Sequence, residues 1–302
     1  MSLHTNIEDS KAPELLLNEV MSTSFLVAHC RYLETKSPHP LVHDPYSIQV
    51  AQYVQEKYPD HFSRLVDLKD HYPNPTNTWK GIAIRTKWID DHILDITSRY
   101  PQSQLVIMGV GLDGREYRMN LPHTKMFQID QEAVIQTRKQ INPLSNSNVC
   151  TLSFDFNQPL PGLKEQLLQE GYDPEIPSIW IAEGLLMYLS NPSIVRLFDF
   201  MNQCNARHIV SMHYTKEAFD LCKTIPVVNS ACSYMEDWLQ PFFQSLGYKM
   251  NEFVALRGKK CHYNLIEDPF EDIFEWNSLW KQFDIINPQK ASALFWIEKK
   301  EV

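Results

Sequence analysis

The 302-residue chain is 43% hydrophobic and 22% charged, the balance of a globular protein with a core of its own, which argues against global disorder. Its 28 basic and 37 acidic residues leave a net charge of −9, a surface that repels phosphate backbones, so nucleic acid is not an expected partner. No apolar run approaches the roughly 18 residues of a membrane span, and the N-terminal stretch has no basic segment ahead of an apolar one, so neither a membrane partner nor a secretory leader is expected and the cytoplasm is.

Residues 13–35 and 44–70 are dense in apolar residues and poor in breakers, and both are expected to be helical. Ser37-Pro38-His39-Pro40 separates them. A helix is expected from about Thr78 to Arg99, with Ile82, Ile89, Ile93 and Ile96 on one face and Pro101 as its stop. Short apolar runs follow: 105–108 ending in Gly109, 125–129 ending in Asp130, 150–154 ending in Asp155, 179–182 ending in Glu183, and 208–212 ending in His213. Helix-like stretches such as 131–141 and 191–205 separate most of them, and 293–298 is a last strand candidate. Strands alternating with helices imply an α/β fold whose parallel sheet is covered on both faces. The cysteines at 30, 150, 204, 222, 232 and 261 fit no metal-ligand spacing and read as reduced apolar residues, so no metal is implied.

Only nine glycines occur, and Gly109, Gly111 and Gly114 fall together after the first strand. In open α/β sheets ligands bind at the carboxyl ends of the strands, where Asp130, Asp155 and Glu183 also fall. The G-x-G-x-x-G spacing suits two readings: an NAD(P)-dependent oxidoreductase or a nucleoside-dependent methyltransferase. Asp113, inside the loop, would oppose a pyrophosphate, whereas S-adenosylmethionine carries a sulfonium and an ammonium and no phosphate. Asp130 could accept both ribose hydroxyls in either reading. Asp155 could accept from an adenine amino group, with Phe156 packed on the base.

Gly81-Ile82-Ala83-Ile84-Arg85-Thr86, the 104–113 segment with Arg118 beyond it, Phe127-Gln128-Ile129-Asp130, Phe154-Asp155-Phe156 and the 182–189 segment together resemble the leucine carboxyl methyltransferase family, which includes bacterial polyketide O-methyltransferases. Arg31-Tyr32-Leu33-Glu34 and Asp44-Pro45-Tyr46 are similar to two further segments of that family. The resemblance covers about residues 25–215 and is specific at superfamily level. It implies a class I methyltransferase fold: a seven-stranded, mostly parallel, Rossmann-like sheet with an antiparallel last strand and an N-terminal helical cap. One domain then spans 1–302, with the cap in 1–100 and the core, carrying substrate-cap insertions, in 101–302.

It also implies roles for residues in binding S-adenosylmethionine. Arg85 would hold the methionine carboxylate, with Arg31 a second candidate in that region. Gly109 and Gly111 would admit the cofactor, Asp130 would bind the ribose, and Asp155 with Phe156 the adenine. Glu183 would lie near the ammonium or the substrate. Gly114 stands where the family commonly has Ser or Thr, and Gln131 where an apolar residue is common. The expected activity is O-methylation of a carboxylate, or a hydroxyl, on a small molecule or a protein C-terminus. A carboxylate needs no catalytic base; a hydroxyl would be helped by one, and His213 is the best placed. A protein that binds the nucleoside without catalysis is a further alternative.

Overall fold

The computed structural model describes residues 19–66, 75–143, 147–156, 158–223, 231–236, 238–258, 260–265 and 292–300. Helices α1 (Glu19–Thr35), α2 (Pro45–Lys57) and α3 (Pro59–Val66) precede the long α4 (Pro75–Arg99). Then come β1 (Gln104–Met108), α5 (Arg115–Arg118), β2 (Lys125–Asp130), α6 (Glu132–Ile141), β3 (Val149–Ser153), α7 (Pro161–Gln169) and β4 (Ser178–Ala182). A single 3₁₀ turn at Leu186–Tyr188 leads into α8 (Asn191–Gln203), β5 (His208–Tyr214), α9 (Lys216–Cys222), α10 (Leu239–Ser245), β6 (Tyr248–Ala255) and β7 (Ser292–Lys299).

The seven strands form one sheet in the order β3-β2-β1-β4-β5-β7-β6. β1 pairs in parallel with β2 and β4, β2 with β3, and β4 with β5. β7 runs antiparallel to both β5 and β6, so β6 points the same way as the first five strands. All carboxyl ends except that of β7 therefore open on one edge of the sheet. This is the expected architecture, and α/β crossovers impose it, since successive parallel strands need a covering helix between them.

Double-sided burial explains the continuous apolar runs: every residue of β1 and of β4 is buried. One face packs against α4 through Ile84, Trp88, Ile89, Ile93 and Ile96. The other is covered by α7, α8 and α10, with Leu163, Phe198 and Phe243 against Phe127, Trp180 and Phe295. A third cluster joins α1 and α2 through Phe25, Tyr46, Val50 and Val54 to Leu112 of the glycine loop. Ile82 departs from the face expected of it and packs with this cap cluster.

The expected continuous helix over 44–70 is divided. Tyr58 leaves helical geometry with ψ 59°, and Pro59 opens α3. Proline favours the first position of a helix, because its missing N–H has no acceptor there, and it biases the preceding residue away from helix. Residues 67–70 of that expectation, and 13–18 of the first, lie outside the described residues. β6 is the seventh strand that the resemblance implies, but no apolar run in the sequence marks its place. Its register breaks between Met250 and Glu252, which swaps the face of every later side chain and erases any steady alternation. Among the described residues no helix is long and apolar enough to cross a membrane.

Candidate active site

The loop after β1 turns sharply at Gly109 (φ 64°) and Gly111 (φ 50°), a left-handed conformation that costs an L-residue about 1–2 kcal/mol. A Cβ at Gly109 would stand 3.2 Å from Leu185 Cδ1, and one at Gly111 3.1 Å from Ser24 Oγ, so backbone shape and close approach both select glycine. Gly114 has an ordinary φ of −104°, but a Cβ there would lie 2.2 Å from Asp44 Oδ1. The Asp44 carboxylate fills the space that Ser or Thr would need, which accounts for that departure from the family pattern.

Asp130 closes β2 beneath this loop. One carboxylate oxygen accepts the Gly111 N–H at 2.7 Å and the other the Gln131 N–H at 2.7 Å. Burial raises its pKa, against the lowering effect of those two donors. Because Phe154 N–H bonds to Asp130 O at 2.8 Å, Asp155 is held one strand over, at the same edge. Phe156 is turned into the core, with its ring 5.9 Å from that of Phe154. Arg138 of α6 donates to Gly111 O and Asp113 O at 2.9 and 2.8 Å and to Glu116 at 2.7 Å, fastening the loop from behind.

A buried ionic network joins this loop to the cap and to β4. Arg115 is fully buried; its Nε donates to Asp90 at 2.7 Å, while Nη1 bonds Asp113 and pairs with Glu183 at 2.8 Å. Arg85 Nε donates to the other Glu183 oxygen at 2.6 Å, and Nη1 reaches Met212 Sδ at 3.4 Å. Arg118 bonds Asp90 and Asp113 and lies 3.5 Å from Asp44. Arg31 lies 3.5 Å from Asp44 and donates to Leu112 O at 3.3 Å. Arg31, Arg85, Arg115 and Arg118 thus balance Asp44, Asp90, Asp113 and Glu183. Burial alone would raise the Glu183 carboxyl, but the attraction of Arg85 and Arg115 overrides it and draws the pKa down to about 2. Arg115 and Arg118 likewise hold Asp113 well below the carboxylate range, against burial.

The candidates from the sequence therefore gather in one place: Gly109, Gly111, Asp130 and Asp155 on one side, Arg85, Glu183 and Arg31 on the other. Sequence reasoning missed Arg115 and Asp90, which lock Glu183 and Asp113. The signal was there in part: Asp90 lies five residues past Arg85 on one helix, and Arg115 stands two residues after Asp113. His213 lies inside β5, one residue before its end, and is buried. Its Nδ1 accepts the Tyr214 N–H at 3.0 Å, so Nε2 carries the ring hydrogen, and burial draws the pKa down to about 3.

The sheet order, the single antiparallel strand and the glycine loop over strand-end acids define a class I, Rossmann-like methyltransferase fold. The chain belongs to the leucine carboxyl methyltransferase family, whose sequence profile matches residues 24–202. It is 32% identical over 204 residues to a Mycobacterium avium protein described as "Putative S-adenosyl-L-methionine-dependent methyltransferase", covering 63% of this chain and 65% of that one. A Mycobacteroides abscessus protein of the same description is 30% identical over 207 residues, 65% of each chain. The chain thus spans just under two thirds of the length of these curated relatives. In fold it is similar to the crystal structure of a duf574 family protein from Streptomyces avermitilis, with a TM-score of 0.56 at 12% identity over 85% of this chain and 98% of that one.

Proposed function

We propose that this protein is an S-adenosylmethionine-dependent O-methyltransferase acting on a carboxylate of a small molecule or a peptide C-terminus. The observation that carries the cofactor is the state of the glycine loop. Its Gly111 N–H is already bonded to Asp130, Asp113 is locked in ion pairs behind it, and the helix that follows spans only Arg115–Arg118. A pyrophosphate would need free N–H donors at a helix N-terminus, so the dinucleotide reading is disfavoured. A nucleoside with no phosphate needs a close-approach loop and an acceptor for its ribose, which Gly109, Gly111 and Asp130 supply. Arg85, paired to Glu183 through Nε and in weak contact with Met212 Sδ through Nη1, would offer its Nη edge to a carboxylate.

When bound, the cofactor supplies an electrophilic methyl group: the acceptor oxygen forms the new O–C bond as the C–S bond breaks, its electron pair staying on sulfur. The protein's part is alignment and exclusion of water. The state of His213 supports a carboxylate acceptor. A buried imidazole with a pKa of about 3, whose Nδ1 is occupied by a backbone N–H, is a poor base for deprotonating a hydroxyl. A carboxylate is already ionised and needs no proton removed.

Thermal unfolding with S-adenosylmethionine and S-adenosylhomocysteine tests the cofactor. A ligand specific for the folded state adds about 2.7 kcal/mol at a hundredfold excess over its Kd, a rise of several degrees. No shift up to millimolar nucleoside, or a nicotinamide dinucleotide released on denaturation and seen by mass spectrometry, rejects the proposal. Methyl transfer to a panel of carboxylic acids, phenols and C-terminal peptides then tests the acceptor class.

A further inference from the structure

Arg257 stands two residues beyond β6, and β6 opens on the same edge of the sheet as β1 to β5. Its backbone is left-handed, with φ 71°, in a residue that is not glycine. That conformation is uncommon for an L-residue, and the surrounding loop enforces it: the Arg257 N–H bonds Cys261 O at 3.0 Å, and Gly258 N–H bonds Ala255 O at 2.9 Å. The side chain runs back over α4. Its Cδ would stand 3.7 Å from a Cβ at Gly81, a position that carries no side chain. Gly81 lies four residues before Arg85, one helical turn or about 5 Å along the axis. The stem of Arg257 therefore crosses the helix a single turn from the arginine assigned to the cofactor.

Among the described residues no carboxylate pairs with the guanidinium, and its buried Nε has no hydrogen-bond partner. Burial lowers its pKa. Every arginine of the nearby network has an acidic partner, so this one stands apart. An unpaired, partly buried cation costs stability and persists where it serves a ligand. Its planar fork matches a carboxylate with two parallel N–H···O bonds.

We propose that Arg257 binds the methyl acceptor through a carboxylate of that substrate; this rests on the reading of the protein as a carboxylate O-methyltransferase. The probes are acetate, hexanoate and benzoate, each matched with its neutral primary amide. Each is titrated into wild type, Arg257→Gln and Arg257→Lys by NMR, with and without S-adenosylhomocysteine. At least one carboxylate is expected to bind wild type tenfold or more tightly than its amide. Arg257→Gln is expected to weaken it at least tenfold and Arg257→Lys to restore part of the loss, with nucleoside affinity unchanged within twofold.

Equal carboxylate affinity in wild type and Arg257→Gln overturns the proposal, as does failure of all three carboxylates to bind. A tenfold loss of nucleoside affinity in Arg257→Gln also overturns it, because the residue would then belong to the cofactor. Thermal unfolding is the second measurement. Arg257→Gln is expected to melt no lower than wild type, and a fall of many degrees would assign the residue a structural role. Absence of nucleoside binding by wild type would remove the methyltransferase reading, while the difference between the carboxylate titrations still decides the role of Arg257.

Discussion

The two halves of the sheet edge treat buried charge in opposite ways. Around β1, β2 and β4, Arg31, Arg85, Arg115 and Arg118 each lie against an acid, and Arg138 is tied to Glu116. Around β5 and β6, His213 is buried and depressed to about 3, and Arg257 has no acidic partner among the described residues. The first arrangement fastens the glycine loop through the protein's own side chains. The second leaves donors unsatisfied, which is costly in isolation and useful where a polar ligand arrives. On the function proposed above, the paired half would frame the nucleoside and the unpaired half would face the methyl acceptor.

The comparison breaks most readily at Arg115. Arg115→Met leaves Asp90, Asp113 and Glu183 facing one another with one cation fewer, and loss of one partner from a buried ionic set costs about 3–5 kcal/mol. Urea unfolding of the variant is expected to show a loss of that size or no folded state. A loss below about 1 kcal/mol would show that the network is not structural. Arg115→Lys is expected to recover little of it, since a point charge cannot span three carboxylates.

Acid acts on both halves. Glu183 is held near 2, below its ordinary 4.5, so its contribution is complete above about 4.5 and is lost as pH falls toward 2. His29, His208 and His213 are depressed from 6.5 to about 4, 4 and 3 by burial. A depressed histidine adds nothing above 6.5 and destabilises the fold progressively below it, because the unfolded chain takes up the proton first. The raised pKa of Asp130 works the other way, favouring the fold slightly as that carboxyl protonates. The urea midpoint is expected to be flat between pH 7 and 8 and to fall from 6.5 to 4. His213→Gln is expected to flatten that fall, and an unchanged slope would show that His213 is not a source of it.

Smaller effects sharpen the contrast. Asp130→Ala removes the acceptor assigned to the ribose, and charged hydrogen bonds contribute about 1.5–3 kcal/mol, so S-adenosylhomocysteine affinity is expected to drop at least tenfold by calorimetry. Unchanged affinity would misplace the ribose. His213→Gln is expected to change the rate of carboxylate methylation less than threefold between pH 6 and 9. A hundredfold loss with nucleoside binding intact would mark a base and point to a hydroxyl acceptor.

Local chemistry in the chain already determined the parallel sheet, the helix over α4, the left-handed glycines at 109 and 111 and the acids that close β2 and β4. A continuous apolar run, a glycine and a strand-end acid each leave a mark within a few residues. Tertiary structure alone decided the rest. The bulge hid β6, and Asp44 of the cap reached the loop to exclude a side chain at Gly114. Arg115 meets Asp90 and Glu183, 25 residues before it and 68 after it in the chain, and Arg257 lies over Gly81 across 176 residues. Asp113 beside Arg115 leaves a local trace of one pair, but the pairing with Asp90 and Glu183 depends on distant neighbours, because charge is compensated through space.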